Sequence, residues 1–284
     1  NFLDSQADKP VPICRLGLNL EIRQSTFMRA SFGQGYRYPS IAEKHAYTTV
    51  GSIKIIPNPE IRPESGWSSE IGLKHAFSAA ALSGHADIAV FYSQNSDMIE
   101  YVFGYYTDPA TEDFSYGFRP VNIENSRVYG TEFEFMLNRS FGRFNTTVRG
   151  GYTFMYPVEF NALTGKNTGT YLKFRRKHSA ELSLSTIYNN FETGISSYLK
   201  SRILAIDDVF INPFSREDIL PGFYDYWTEN NTGHFLMDIF ARYSFKTVYD
   251  ISLSVKNLSN TEYMGRPGDI QPQRYFSLQF GARF

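Results

Sequence analysis

Cysteine, tryptophan and long apolar runs are all scarce in this chain. Its 284 residues hold one cysteine, Cys14, so no internal disulfide can form; that alone decides little about compartment. No run of about 18 apolar residues occurs and mean hydropathy is −0.34, which excludes a transmembrane helix. Neither sign of charge dominates: the formal net charge is −1, and nothing points to a nucleic-acid partner. There is no nucleophile elbow, no phosphate-binding loop and no His/Cys cluster with zinc spacing. No catalytic residue, metal site or cofactor is expected. A leader is missing too: Asn1 to Pro10 is polar and lacks an apolar core. Either a leader has been removed or the chain starts partway through a longer protein.

What is present is phenylalanine and tyrosine, 25 and 20 residues, against two tryptophans. This load suits two belts of rings at membrane–water interfaces. The rings fall in segments of period two. At the C-terminus Phe276, Leu278, Phe280, Ala282 and Phe284 alternate with Tyr275, Ser277, Gln279, Gly281 and Arg283. One side of such a strand is oily and the other wet. Trp67, Ile71, Leu73 and Phe77 oppose Glu70 and Lys74; Ile88, Val90 and Tyr92 share a parity opposite Asp87. Phe133, Phe135 and Leu137 oppose Glu132 and Glu134; Val148, Tyr152 and Phe154 oppose Arg149; Leu182, Leu184 and Tyr188 oppose Glu181. A barrel in a membrane keeps mean hydropathy low because only alternate residues meet lipid.

About eleven such strands are expected, several long enough for the roughly 9–11 residues of a tilted membrane-spanning strand. Short joints near Glu21–Gln24, Ser78–Ala81, Arg139–Arg143, Asn189–Asn190 and Lys246–Tyr249 alternate with long ones at Arg37–Ser65, Gly104–Arg119, Pro157–Leu172, Ile206–Thr232 and Leu258–Pro272. Turns on one side and large loops on the other is the layout of an outer-membrane barrel. A soluble all-β protein with uneven loops has no reason to alternate so strictly. The fold expected is all-β: a transmembrane antiparallel barrel. The first strand, about Pro12 to Leu20, then begins on the outer side, and an odd count cannot close with both ends in the periplasm. Residues 1–284 are therefore expected to be the C-terminal half of a barrel about twice as large. Alone, two edges would lie unpaired in lipid.

Several stretches resemble a known family. Arg29-Ala30-Ser31-Phe32-Gly33-Gln34-Gly35-Tyr36-Arg37-Tyr38-Pro39-Ser40-Ile41-Ala42-Glu43 resembles a strand-and-loop motif of TonB-dependent outer-membrane receptors. Pro57-Asn58-Pro59-Glu60-Ile61-Arg62-Pro63-Glu64, Ser69-Glu70-Ile71-Gly72-Leu73-Lys74, Tyr129-Gly130-Thr131-Glu132-Phe133-Glu134 and Val255-Lys256-Asn257-Leu258 through Tyr263 resemble later ones, in order. The wording is most similar to iron-siderophore receptors of Bacteroidetes-type bacteria. The resemblance implies the C-terminal half of a barrel of about 22 strands, with the plug domain, TonB-coupling segment and first barrel half outside this chain. It implies an outer-membrane location and import of a scarce ligand, a ferric siderophore first, using TonB-transduced energy. The partners implied are membrane lipid, the barrel-assembly machinery, the plug and N-terminal half, and the TonB complex. The terminal aromatics Phe276, Phe280 and Phe284 resemble the insertion signal of barrel proteins.

Candidate ligand contacts in the loops are Tyr36, Arg37, Tyr38, Tyr105, Tyr106, Tyr226 and Trp227, since rings grip planar ligands at small entropic cost and a guanidinium pairs with anions. An anchoring role for Arg37 in its long loop is the favoured alternative. Gly33 and Gly35 are expected to leave room where strand bends into loop. Glu132, Glu134, Arg149 and Glu181 are candidates to face the plug, because charges in a filled lumen need partners. His45, His178 and His234 read as ordinary polar histidines rather than haem ligands. Two other classes remain: a passive porin, which would conduct without an energy source, and an outer-membrane barrel enzyme of the phospholipase or protease type.

Overall fold

The structure is a computed structural model that describes residues 11–50, 53–108, 112–123, 125–246 and 248–282. It contains sixteen strands: β1 (Arg15–Arg23), β2 (Thr26–Arg37), β3 (Thr48–Val50), β4 (Ile53–Ile55), β5 (Glu64–Ala79), β6 (Leu82–Ser96), β7 (Ile99–Thr107), β8 (Phe114–Asn122), β9 (Asn125–Phe141), β10 (Phe144–Phe160), β11 (Asn167–Tyr171), β12 (His178–Tyr188), β13 (Phe191–Ser201), β14 (Gly233–Phe245), β15 (Tyr249–Lys256) and β16 (Tyr275–Ala282). Three short helices lie in connections: α1 (Ile41–His45), α2 (Arg216–Ile219) and α3 (Phe223–Asn230). None is long and apolar enough to cross a membrane.

Eleven strands form one antiparallel meander in the order β1-β2-β5-β6-β9-β10-β12-β13-β14-β15-β16, with β11 added beside β10. This is the expected wall. Among the described residues no pairing joins β1 to β16, so the sheet is open. Each strand pairs only with sequence neighbours of the wall, which is what alternating turns and loops permit. Residues 24–25, 80–81, 142–143 and 189–190 make two-residue turns, and Ser25, Ala80, Gly142 and Asn189 take positive φ there. All the tight turns lie at one end of the sheet and all the long connections at the other.

The period-two pattern sorts the faces. Leu16, Leu18, Ile71, Val90, Leu182, Leu253, Phe276, Leu278 and Phe280 are all exposed on one face. Ile71 is 64% exposed, Phe276 71% and Phe280 66%, so this side is not a soluble core. Phe284 lies outside the described residues. Rings gather at two levels of that face. Toward the loop end Phe32, Trp67, Tyr92, Tyr129, Tyr156 and Tyr171 follow one another at 5.9, 5.1, 6.2, 5.3 and 5.6 Å between centroids. Toward the turn end Phe144 meets Tyr188 at 4.5 Å, and Phe245, Tyr249 and Phe280 form a second row. Twelve residues of β10 separate Phe144 from Tyr156. At ~3.3 Å per residue and ~40° of tilt that is about 30 Å, the thickness of an apolar membrane layer with its interfaces.

The opposite face is polar and partly ion-paired. Arg29 on β2 bonds Glu70 at 2.8 Å and Asp87 at 2.7 Å; Lys256 bonds Asp238 at 2.8 Å and Arg242 bonds Glu192 at 3.3 Å.

Three sequence expectations shift. The first strand is Arg15–Arg23, later than Pro12–Leu20. Gly104–Arg119 is no plain loop but falls largely within the hairpin β7–β8, whose alternating residues satisfy their backbones against each other. Much of Pro157–Leu172 is β10 and β11. In both cases the strands outrun the membrane level, so the lipid pattern that marks wall strands is absent there.

Candidate functional site

The long connections pack into a cap, and their own chemistry explains how. β3 and β4 lie in the β2–β5 connection, β7 and β8 in the β6–β9 connection; β4 pairs parallel with β8, so two connections share one four-stranded sheet in the order β3-β4-β8-β7. Asp108 is fully buried at this junction. Its Oδ2 accepts from Lys54 Nζ at 2.5 Å and from the Tyr47 hydroxyl at 2.9 Å. A buried carboxylate without such donors would be very costly. Asn58 Nδ2 donates to the Pro120 carbonyl at 2.9 Å, and Arg62 pairs with Asp97 at 2.6 Å.

The β13–β14 connection builds a second core from Ile203, Ile206 and Phe223, with Phe174, Phe210, Leu220, Trp227 and Met264 packed on it. Lys173 ties the two halves of the cap: its ammonium lies 3.1 Å from Asp207 and 3.9 Å from Glu100 on β7.

The seven loop candidates do not converge. Arg37 is a clasp. Its guanidinium donates to Glu64 at 2.6 and 3.2 Å and to Glu43 at 3.0 Å. Glu43 in turn closes the N-terminus of α1, reciprocating with Ser40 in a capping box. Burial alone would raise the Glu43 pKa, but the Ser40 N–H and Arg37 outweigh it and the pKa falls below the ordinary carboxylate value. Tyr36 and Tyr38 meet edge to face at 4.8 Å. Tyr105 lies on the exposed face of the β7–β8 hairpin, stacked on Phe114 at 5.2 Å and beside Tyr116 at 4.8 Å. Tyr106 points to the other face, its hydroxyl donating to the Val102 carbonyl and its ring under Arg119. Trp227 packs on Phe223, and a hydrogen bond to Glu262, then burial, pushes the Tyr226 pKa up to about 12.

Glu132, Glu134, Arg149 and Glu181 lie on the polar face. Glu134 and Glu181 flank Gly151 in register on neighbouring strands. Arg149 Nε reaches Met136 Sδ at 3.4 Å. Among the described residues no salt bridge engages Glu132, Glu134, Arg149 or Glu181. The motif glycines differ. A Cβ on Gly35 would meet nothing within 4 Å and one on Gly33 only the Arg15 side chain at 4.0 Å, so crowding inside the chain does not account for them. Gly130 is the tight one: a Cβ there would strike the Phe154 carbonyl oxygen and approach the Phe91 ring to 2.8 Å.

One site was missed in the sequence. Beneath the cap, on the polar face, a cavity of about 580 Å³ is lined by Arg175, Arg176, Lys177, Lys200, Tyr198 and His234, with Tyr263, Asp269 and Gln271 at its rim. Arg176 is held by backbone, donating to the Ser201 carbonyl and to the Met264 carbonyl at 3.1 Å. Among the described residues no salt bridge occupies Arg175 or Lys200. The Lys177 ammonium turns to the Tyr156 and Tyr171 rings, which leaves Arg175, Arg176 and Lys200 against Asp269, a balance that favours an anionic occupant. The available signal was the run Arg175-Arg176-Lys177 just before a wall strand. Among the described residues no group of three His, Cys, Asp or Glu side chains suits a metal ion.

Comparison with known proteins gives this geometry its context. No curated protein sequence matches the chain. Among solved structures it is similar to the copper transporter OprC, with TM-score 0.66 and 14% identity over 95% of this chain and 39% of that one. It is similar to the hemophore receptor HasR of Serratia marcescens, solved with its hemophore HasA and heme, with TM-score 0.62 and 18% identity over 96% and 39%. It is also similar to the ferric-catecholate import receptor Fiu of E. coli K12, with TM-score 0.60 and 16% identity over 95% and 34%. These likenesses show the fold, and the chain spans well under half the length of each. The family described as TonB dependent receptor-like, beta-barrel, matches residues 14–258. With that match across most of its length, the chain belongs to the TonB-dependent receptor β-barrels, a family of receptors in the Gram-negative outer membrane.

Proposed function

We propose that this chain supplies wall and outer cap to a receptor that captures an anionic metal chelate, a ferric siderophore first, and imports it with energy relayed by TonB. The chain is then the C-terminal part of a larger barrel, whose plug and N-terminal strands complete the lumen. The observation that carries the ligand class is the cationic cavity below the cap, where Arg175 and Lys200 face the lumen beside Tyr198 and Tyr263. Guanidinium and ammonium groups answer the negative charge of such a chelate, and the rings cover its planar parts. Its structural neighbours include a copper transporter, a hemophore receptor and a ferric-catecholate import receptor, which agrees with a metal-containing cargo.

Other residues take supporting roles in this reading. Glu132, Glu134, Arg149 and Glu181 meet complementary charges on the plug. Phe276, Phe280 and Phe284 present the aromatic signal read by the barrel-assembly machinery. Tyr105, with Phe114 and Tyr116, offers a first aromatic contact at the outer surface, while Arg37, Tyr106 and Trp227 hold the cap rather than the cargo. The whole assembly is a transporter, not an enzyme.

Uptake of radiolabelled iron by cells carrying the full-length protein tests this. Uptake of a ferric siderophore should depend on the protein and on TonB, and Arg175→Gln with Lys200→Gln should weaken binding at least ~10-fold. Uptake that persists without TonB would favour a passive channel, and binding unchanged by the double substitution would remove the anionic-cargo assignment.

A further inference from the structure

We infer that His234 is a specificity-determining contact in the cationic cavity: its ring N–H binds the anion directly, and the cavity holds that anion more tightly as pH falls. This rests on the anionic cargo proposed above and gives a role to a residue that the sequence presents only as a polar histidine.

His234 is the second residue of β14 and lies opposite Lys200 of β13 in register. Side chains so opposed stand with Cβ atoms about 5 Å apart. The imidazole is partly buried and lines the same cavity as Arg175, Arg176 and Lys200. It packs against the Tyr263 ring, centroids 4.6 Å apart, which holds the ring in place but engages neither nitrogen. Among the described residues no hydrogen bond reaches those nitrogens. Two other histidines differ: His75 Nδ1 meets the Thr26 hydroxyl and His178 Nδ1 the Tyr152 hydroxyl, each at 2.8 Å.

The surrounding charges point the same way. The charged groups acting on the ring are Arg176 and Lys200, both cations. Nearby acids and phenols are turned elsewhere. Glu262 is bonded by the Tyr226 hydroxyl, and Asp269 at the rim is turned toward Gly265. Tyr198 and Tyr263 line the cavity as neutral phenols. A partly buried N–H without an acceptor is costly, and the chain supplies none. An anion in the cavity supplies one, and it meets the Arg175 and Lys200 charges at the same time.

The pH dependence follows from the same arrangement. Like charges opposite each other on neighbouring strands destabilise, so a second positive charge facing Lys200 is costly while the cavity is empty. An anion between them turns that repulsion into attraction. Anion binding and protonation therefore favour each other. The bound state takes up more protons than the empty one, so affinity rises as pH falls through the imidazole range near ~6.5.

The test uses the full-length receptor in detergent and a gallium tris-catecholate, an anionic chelate without redox chemistry, titrated calorimetrically at pH 8 and pH 6. His234→Phe keeps a ring for Tyr263 but removes the N–H. It should weaken binding about 3-fold at pH 8 and about 10-fold at pH 6. The probe's own protonation is common to every variant and cancels in that comparison. His234→Gln restores a donor without a charge. It should lie between the two at pH 8, show no extra gain at pH 6, and keep the test open if the Phe variant fails to fold by heat-modifiable gel migration. Buffers of different ionisation enthalpy should reveal proton uptake on binding by the unmodified receptor and less by both variants, which a purely structural histidine does not produce. Equal affinities of the folded variants and the unmodified receptor at both pH values, or equal proton uptake, would overturn the role of His234. If Arg175→Gln with Lys200→Gln still weakens binding in that case, the anionic cargo stands without it. No binding of the anion, or binding indifferent to every substitution, removes both.

Discussion

The wall and the cap are both built largely of strands, yet they hold together by opposite means. The wall turns Leu182, Ile88 and Leu278 outward, and almost none of its apolar residues is buried within the chain. The cap and the strand ends beneath it hold Ile56, Ile61, Val158, Phe160, Leu172, Ile203, Ile206, Val209 and Phe223; among the described residues Ala89 is the one buried apolar residue at the level of the wall. The wall relies on backbone ladders and on the surrounding solvent, as a sheet in hydrocarbon must. The cap stands in water and is held by burial and by ion pairs such as Lys54–Asp108. A membrane protein thus carries two folding logics in one chain, and the boundary between them is the outer aromatic belt.

The sharpest way to break the contrast is at Asp108. Asp108→Ala strands Lys54 and Tyr47 and should cost the cap about 3–5 kcal/mol. Limited proteolysis should then cut residues 38–63 and 97–123 while the barrel still migrates as folded; a collapse of the barrel itself would show that the regions are not independent. Next comes the wall. Leu182, opposite Gly150 in register, stands midway between the two belts. Leu182→Arg should cost about 2–4 kcal/mol and abolish the fast-migrating folded species, whereas Ser183→Arg on the lumen side should leave it in place. Equal effects of the two would show that the faces are not sorted as described. Gly130→Ala, pressed on the Phe154 carbonyl, should cost about 1–3 kcal/mol and lower the thermal midpoint, while Gly35→Ala should not. The smallest effect is at α1. Ser40→Ala removes a cap worth about 1 kcal/mol. Because the Glu43 pKa is depressed in the fold, its contribution is present above the ordinary value of 4.5 and lost as pH falls through the lower folded value. Proteolysis of the β2–β5 connection should therefore rise below about pH 4.5, and Glu43→Gln should make it independent of pH there.

Much of the wall was legible because lipid enforces a simple rule. Phe276, Leu278 and Phe280 declare their face by spacing alone, and turns such as Asn189-Asn190 mark where strands reverse. The cap was not legible. β3 and β4 have three residues each, too few to show a period. Lys54 and Asp108 lie 54 positions apart with three whole strands, β5, β6 and β7, between them. The rings at Tyr105, Tyr106, Tyr226 and Trp227 were visible as aromatics, but only packing could assign Trp227 to a core and Tyr105 to an exposed face. The cationic cavity was hidden for the same reason, since Arg175, Lys200 and His234 come from three separate stretches.

Composition and alternation by themselves fixed an open meander of eleven strands, the sorting of its two faces and the end from which its loops rise, because each follows from a period of two read against a membrane. Tertiary structure alone decided which loops join, that Arg37 clasps two carboxylates, and that Arg175 and Lys200 come together beneath the cap. Those outcomes depend on register and long-range approach, which no local pattern in a chain encodes.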